Sequence, residues 1–198
     1  MMTLREPHQP GSAEATENLR IIRDLMERST RYSTFSGLSG VLAGTAAVLG
    51  AILDFQLKPN ARLFLVIWST VLVFTLCTDY LLTKRKAAQV GKHVLSRLGK
   101  QMVLASAPGL GLSVLLTWFC WQNHILSQIY PLWMLCYGVA VCSVGLFSQS
   151  EVSKLGRAFL LVGAVTLFFP AYGLHAMALS FGGFHIVYGV LMGQKNRW

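Results

Sequence analysis

Residues 101–150 have the sequence QMVLASAPGLGLSVLLTWFCWQNHILSQIYPLWMLCYGVAVCSVGLFSQS, which contains no Asp, Glu, Lys or Arg. A second stretch without these residues covers 158–194. A helix needs about 20 apolar residues to cross the hydrocarbon core of a membrane, so each stretch has room for two crossings. Both stretches therefore predict pairs of transmembrane helices.

The composition of the whole chain favours the same class of protein. Hydrophobic residues make up 54% of the 198 residues and charged residues 13%, which is too apolar for a soluble domain of this size. The formal net charge of +9 would fit a nucleic-acid-binding protein only if the basic residues shared a water-exposed surface. They lie instead in short segments between apolar runs. This distribution predicts contact with the bilayer and its anionic lipid headgroups, and no nucleic-acid partner.

The hydrophobic pattern predicts an all-α membrane protein, with a bundle of about six transmembrane helices within residues 33–198. A loop containing Lys58 separates the first two spans, and a break at Pro170 separates the last two. The predicted spans are 34–53, 62–82, 102–121, 130–148, 158–169 and 174–193. Because the last two are short, a re-entrant hairpin at 158–193 is the alternative to two complete crossings.

The residues before the first span are polar. Residues 1–15 are rich in Pro, Gly, Glu and His, which predicts a disordered tail. Within 16–32, apolar residues recur at three- and four-residue spacing between basic ones, which predicts an amphipathic helix at the membrane surface. We expect contacts to lipid headgroups or to a partner protein from basic residues of this helix and of the end of the second span. These are Arg20, Arg23, Arg28, Arg31, Lys84, Arg85 and Lys86.

Lysine and arginine are distributed unequally between the two sides that this topology defines. Of the 17 such residues, only Lys58 and Arg62 fall on the side opposite to the termini. The positive-inside rule therefore predicts that both termini are cytoplasmic. An even number of spans is then required.

Small residues recur at four-residue spacing in two of the predicted spans. Ser36, Gly40 and Gly44 share one face of the first span, and Gly189 and Gly193 share one face of the sixth. Helices associate in lipid through close approach of their backbones, so these faces are predicted to be helix-packing surfaces. Hinges of an alternating-access transporter are the other interpretation.

Ionisable residues inside a bilayer are costly and are therefore candidates for function. Asp79 lies about one turn from the predicted cytoplasmic end of the second span, where it can pair with Lys84 or Arg85. His185 lies near the middle of the sixth span, where a histidine is ordinarily neutral and hydrogen-bonded across helices. The alternative hypothesis is that Asp79 and His185 line one intramembrane polar path for protons or a cation.

The sequence contains no motif for phosphate binding, zinc hydrolysis or an activated serine, so we predict no catalytic residue. His175 and His185 would lie about 15 Å apart along one helix, too far to share a metal ion. The four cysteines lie inside apolar segments and are expected to be reduced. We therefore expect no metal, no cofactor and no enzymatic activity.

Four segments resemble a known group of sequences. ENLRIIRDLMERST at 17–30 and SGLSG at 36–40 are similar to the start of a group of uncharacterised bacterial multi-pass membrane proteins, which have six spans. FPAYG at 169–173 and FHIVYG at 184–189 resemble later parts of that group. The resemblance implies a location in the bacterial inner membrane and implies no activity.

Two functions stay open at this point. The first is a non-enzymatic membrane component, in sensing or regulation, that binds a cytoplasmic protein through the Arg-rich helix and the basic loop. The second is a small transporter or channel for protons, cations or a small solute, acting as a homo-oligomer through the polar positions of spans two and six. A crosslink from residues 20–31 to a soluble protein would favour the first, and a water-filled cavity at His185 would favour the second.

Overall fold

A computed structural model of the chain describes residues 16–21, 36–58, 61–89 and 97–196. These residues are helical almost throughout, and within them there is no β-strand. Residues 16–21 are helical, with Glu17 and Arg20 forming an exposed ion pair at 3.9 Å. The rest of the amphipathic helix predicted at 16–32, and the tail predicted at 1–15, lie outside the described residues.

Six long helices follow in the described part of the chain. They are α1, Gly37–Leu57; α2, Ala61–Gln89; α3, Arg97–Gln122; α4, Ile129–Gly145; α5, Ser150–Phe168; and α6, 173–196. Helix α6 consists of an α-helical turn at Gly173–Met177, a π-helical stretch at Ala178–Phe184 and an α-helix at His185–Asn196. Short 3-10 turns at Leu126–Gln128 and Pro170–Tyr172 precede α4 and α6.

Five helical segments of the described residues are long and apolar enough to cross a membrane. They are Gly37–Leu57, Arg62–Lys86, Arg97–Gln122, Leu126–Gly145 and Pro170–Gln194. Helix α5 is not among them, although it has 19 residues, because Glu151, Lys154 and Arg157 lie in its first half. The span predicted at 158–169 is the second half of this longer helix. The structure therefore fits a helical integral membrane protein with five candidate spans.

Helices that are consecutive in the sequence run antiparallel in the bundle. Ser39 near the start of α1 is bonded to Asp79 near the end of α2, and Trp133 near the start of α4 is bonded to Thr117 near the end of α3. The loops and helix ends therefore gather at two ends of the bundle, and one end carries more Lys and Arg residues than the other. The first, called the basic end here, carries Lys84, Arg85, Lys86, Arg97, Lys100, Lys154 and Arg157. The second, called the Asp54 end, carries Asp54, Lys58 and Arg62.

Helices α1 and α6 approach each other closely because glycine faces meet. A Cβ atom at Gly44 would lie 2.5 Å from the carbonyl oxygen of Gly182, and one at Gly40 would lie 3.0 Å from the Cα of Gly189. A larger side chain at either position would push the two backbones apart. The facing pairs are Gly37 with Gly193, Gly40 with Gly189, and Gly44 with Gly182.

A second seam of small residues joins α4 to α5. A Cβ atom at Gly156 would lie 2.6 Å from Cys142 Sγ, and one at Gly138 would lie 3.0 Å from the carbonyl oxygen of Gly156. Helix α3 packs on α4, and α2 packs along α1. In an 18-residue window of each span, 6% of the residues of α2 are buried against 39% of those of α1, so α2 lies at the periphery of the bundle.

Candidate functional site

Asp79 lies on the face of α2 that packs against α1. Its carboxyl oxygen Oδ1 is 2.8 Å from Ser39 Oγ, and Ser39 Oγ is also 2.8 Å from the carbonyl oxygen of Ser36. Lys84 and Arg85, the predicted alternatives for a charge partner, are exposed. In the part of the chain that the structure describes, no basic nitrogen lies within 4.0 Å of Asp79. The carboxyl group is thus held by a hydroxyl and not by a cation.

His185 lies at the middle of the bundle and is bonded to Tyr137. The hydroxyl of Tyr137 is 2.8 Å from His185 Nε2. Tyr137 is eight residues from each end of Ile129–Gly145, which places the contact at the centre of that helix. The second ring nitrogen, His185 Nδ1, is buried and has no side-chain partner among the described residues, and the ring lies close to the backbone carbonyl groups of Ser180 and Phe181.

Aromatic side chains enclose this tyrosine–histidine pair. Phe159, which is 0% exposed, lies with its ring centroid 4.8 Å from that of Tyr137 and 5.5 Å from that of His185. Phe181 stacks on His185 with an interplanar angle of 14°. Phe184 packs against Phe159 with a centroid distance of 5.7 Å. The rings leave the pair in an apolar enclosure formed by α4, α5 and α6.

In the part of the chain that the structure describes, no hydrogen bond joins Asp79 to His185 or to Tyr137. The carboxyl group of Asp79 is within range of electrostatic interaction with the hydroxyl groups of Tyr137 and Tyr188. Tyr188 lies one turn after His185 on α6 and is also within such range of Glu151 at the start of α5. Asp79 and Tyr188 both lie on the basic-end side of the Tyr137–His185 pair.

A third polar group lies at the opposite end of α1. Asp54 is 5% exposed, and its Oδ2 atom is 2.9 Å from both Trp68 Nε1 and the hydroxyl oxygen of Tyr130. The ring of Phe64 packs edge-on against Tyr130 at a centroid distance of 5.5 Å. One carboxyl oxygen thereby connects α1, α2 and α4.

Asp54, Ser39 and Tyr137 were not among the site residues predicted from the sequence. Asp54 was placed just beyond the first span, although α1 extends to Leu57. The spacing of apolar residues could have indicated that Asp54 is buried. Ala51 follows the buried Ala47 by four residues, and Asp54 follows Ala51 by three, so all three lie on one face of α1. The partners Ser39 and Tyr137 lie 40 and 48 residues from the groups they bind, so no local spacing identifies them.

The predicted headgroup contacts are only partly within the described residues. Lys84 and Arg85 are exposed and Lys86 is half-buried at the basic end of α2, and Arg20 is exposed on residues 16–21. Arg23, Arg28 and Arg31 lie outside the described residues. Over the ranges that the structure covers, no three His, Cys, Asp or Glu side chains come together to hold a metal ion.

An apolar groove of about 440 Å³ lies between the second half of α5 and the start of α6. Its lining residues are Leu161, Val162, Val165, Thr166, Phe169, Tyr172 and Ala176. Neither His185 nor either aspartate lines it. The groove is therefore separate from the polar groups described above.

Comparisons with models of protein families, with curated proteins and with solved structures find no match for this chain. What the residues can do is therefore inferred from their own chemistry.

Proposed function

We propose that this integral membrane protein binds and transfers protons, with Asp79 as the proton-binding group near the basic end and the Tyr137–His185 pair as the next group along the path. Of the two functions left open by the sequence, the proposal takes the transporter or channel and limits its substrate to protons. The partner-binding hypothesis depends on the Arg-rich helix and the basic loop, much of which lies outside the described residues. The contacts of the described polar groups favour proton transfer.

The observation that carries the proposal is the hydroxyl of Ser39. It lies 2.8 Å from two oxygens, the carbonyl of Ser36 and the Oδ1 of Asp79, but a hydroxyl group has a single proton to donate. Both contacts are satisfied when Asp79 is protonated, because Asp79 then donates to Ser39 and Ser39 donates to Ser36. An ionised Asp79 would compete with the carbonyl for one proton.

The absence of a cation near Asp79, within the described residues, supports the same protonation state. An ionised carboxyl group inside a membrane protein is ordinarily paired with a basic side chain, because an unpaired buried charge is strongly unfavourable. Asp79 has Ser39 as its neighbour instead. A carboxyl group that is neutral in its resting state and lies about one turn from the polar boundary can exchange its proton with that boundary.

The aromatic enclosure favours protons over larger solutes. Phe159, Phe181 and Phe184 lie around the Tyr137–His185 pair, so its described ring neighbours are apolar and offer no ligand to a hydrated ion. A proton needs only a hydrogen-bonded pair in which donor and acceptor can exchange roles. Tyrosine and histidine side chains both fulfil this condition.

The proposal includes six crossings, with both termini in the cytoplasm of a bacterial cell. Helix α5 packs against α4 from Ser153 to Gly163. The contacting pairs are Ser153 with Gly145, Gly156 with Gly138, and Gly163 with Leu135. This packing supports the proposal of a sixth crossing by α5, whose charged first half would extend to the basic end. The excess of Lys and Arg at that end orients it toward the cytoplasm.

Infrared difference spectroscopy tests whether Asp79 holds a proton. We expect the purified protein in lipid at neutral pH to show the carbonyl band of a protonated carboxyl group that is absent in Asp79→Asn. The band should weaken as the pH is raised, because the group then ionises. Thr78→Val is the matched control, since the neighbouring Thr78 hydroxyl donates only to the Phe74 carbonyl of its own helix. A wild-type spectrum that differs from Asp79→Asn only in ionised carboxylate bands would refute the proposal.

A further inference from the structure

The backbone directly before His185 departs from regular α-helical geometry. Residues Ala178–Phe184 are π-helical, and the α-helix resumes at His185. A π-helical turn bonds each carbonyl group to the fifth residue after it, whereas an α-helical turn bonds it to the fourth. The amide N–H of His185 is bonded to the carbonyl of Gly182, and not to that of Phe181, which would be its acceptor in a regular α-helix. His185 therefore lies where the hydrogen-bond pattern of α6 changes.

Two carbonyl groups of the π-helical stretch lie close to the imidazole ring. They belong to Ser180 and Phe181, the fifth and the fourth residues before His185. Because Nε2 is bonded to Tyr137 on another helix, the nitrogen on the side of these carbonyl groups is Nδ1, which is buried and has no side-chain partner among the described residues. A nitrogen beside carbonyl oxygens has to carry hydrogen, since its lone pair would otherwise be repelled by theirs.

We infer that the carbonyl groups of Ser180 and Phe181 keep a hydrogen on Nδ1 of His185 and thereby make Tyr137 the proton donor to Nε2. A neutral imidazole has one N–H and one acceptor nitrogen, so the Nδ1–H form leaves Nε2 as the acceptor. The hydrogen bond of one ring nitrogen commonly decides the state of the other. The ring itself is held by Phe181, which stacks on it, and by Phe159, which packs edge-on at 71°. The two carbonyl groups are positioning groups for the pair.

This tautomer gives proton transfer at the pair a direction, and for this step the inference rests on the proposed function. When a proton from the side of Asp79 reaches the Tyr137 oxygen, the O–H bond that points to Nε2 breaks and an Nε2–H bond forms. Tyr137 stays neutral, and His185 becomes an imidazolium ion. Its Nδ1–H then has the carbonyl groups as partners and its Nε2–H has the Tyr137 oxygen, so oxygen atoms stabilise the charge on both sides.

Solid-state NMR of the full-length protein in lipid bilayers can identify the tautomer. The histidines are labelled with 13C and 15N, and His185→Gln identifies the His185 signals among those of the five histidines. Nδ1 is bonded to Cγ and Nε2 to Cδ2, so carbon–nitrogen correlations report on each nitrogen separately. The 15N frequency shows whether a nitrogen carries hydrogen. Spectra are recorded at mildly alkaline pH, where an imidazole is ordinarily neutral.

We expect His185 to be protonated at Nδ1 and unprotonated at Nε2, and to keep this form in Tyr137→Phe, because the carbonyl groups are still present. A free histidine side chain prefers the Nε2–H form, so a tautomer that depended on Tyr137 alone would change to that form in the variant. His175, which is exposed on α6, is the internal control, and its signals should be the same in both proteins.

An Nε2–H form in the wild type, or a change to that form in Tyr137→Phe, would overturn the inference. The wild-type spectrum tests it even if Tyr137→Phe does not fold. Because the spectra are recorded without any proton flux, a failure here is distinguishable from a failure of the proposed function.

Discussion

At the scale of single residues, His185 has one side-chain partner, Tyr137. The Tyr137 hydroxyl is bonded to Nε2, and the ring also lies close to the backbone carbonyl groups of Ser180 and Phe181. In an apolar enclosure each hydrogen bond is stronger than in water, and each lost hydrogen bond is more destabilising. Tyr137 should therefore be important for both the stability of the bundle and the transfer of protons.

Tyr137→Phe tests this pair, because it removes the hydroxyl and keeps the ring among its aromatic neighbours. Leaving His185 Nε2 unpaired should lower the free energy of unfolding by about 1–3 kcal/mol. The thermal unfolding midpoint in detergent measures the effect. Tyr172→Phe is the control, since Tyr172 is 66% exposed, and it should change stability by less than about 0.5 kcal/mol. Equal midpoints for the two variants would contradict a stabilising role of the Tyr137 hydroxyl.

At the scale of helices, the fold depends on backbones that come close together. The α1–α6 contact has glycine on both sides, and the π-helical stretch Ala178–Phe184 lies within it at Gly182. π-helical turns in α-helices are frequent at functional sites. The stretch ends directly before His185, so the close α1–α6 contact and the placement of His185 depend on the same part of α6.

Gly44→Ala should destabilise the bundle, because its Cβ would lie 2.5 Å from the carbonyl oxygen of Gly182 and the backbones cannot easily separate. Overpacking of this kind ordinarily costs about 1–3 kcal/mol. Gly111→Ala on α3 is the matched control. No atom lies within 4 Å of its added Cβ, so it should be neutral or stabilising by up to about 1 kcal/mol. If both alanine variants unfold at the same temperature, the close α1–α6 contact is not a source of stability.

The sequence predicted the helices better than their contacts. Gaps without charge indicated the apolar segments because the hydrocarbon core excludes charged side chains, and Pro170 marked the break before α6. The start of α5 at Ser150 was not predicted, because Glu151, Lys154 and Arg157 favoured a loop whereas a helix can extend beyond the apolar layer. The pairing of Tyr137 with His185 joins helices that are distant in sequence, and no local periodicity encodes such a contact.

At the scale of the whole molecule, the two aspartates and the tyrosine–histidine pair lie at three levels of the bundle. Asp79 with Ser39 lies near the basic end, Tyr137 with His185 lies at the middle, and Asp54 lies at the opposite end. Each carboxyl group is bonded to neutral donors or hydroxyls in place of a described basic side chain. This arrangement is expected of a protein that exchanges protons, because a permanent ion pair would hold each carboxyl group in its ionised form.

Proton flux into proteoliposomes tests this account most directly. The purified chain, reconstituted with a pH-sensitive dye inside the vesicles, should dissipate an imposed pH gradient faster than protein-free liposomes. Asp79→Asn should reduce the rate to that of protein-free liposomes, whereas Thr78→Val should retain the wild-type rate. A wild-type rate equal to that of protein-free liposomes, or an Asp79→Asn rate equal to that of the wild type, would contradict the proposed function.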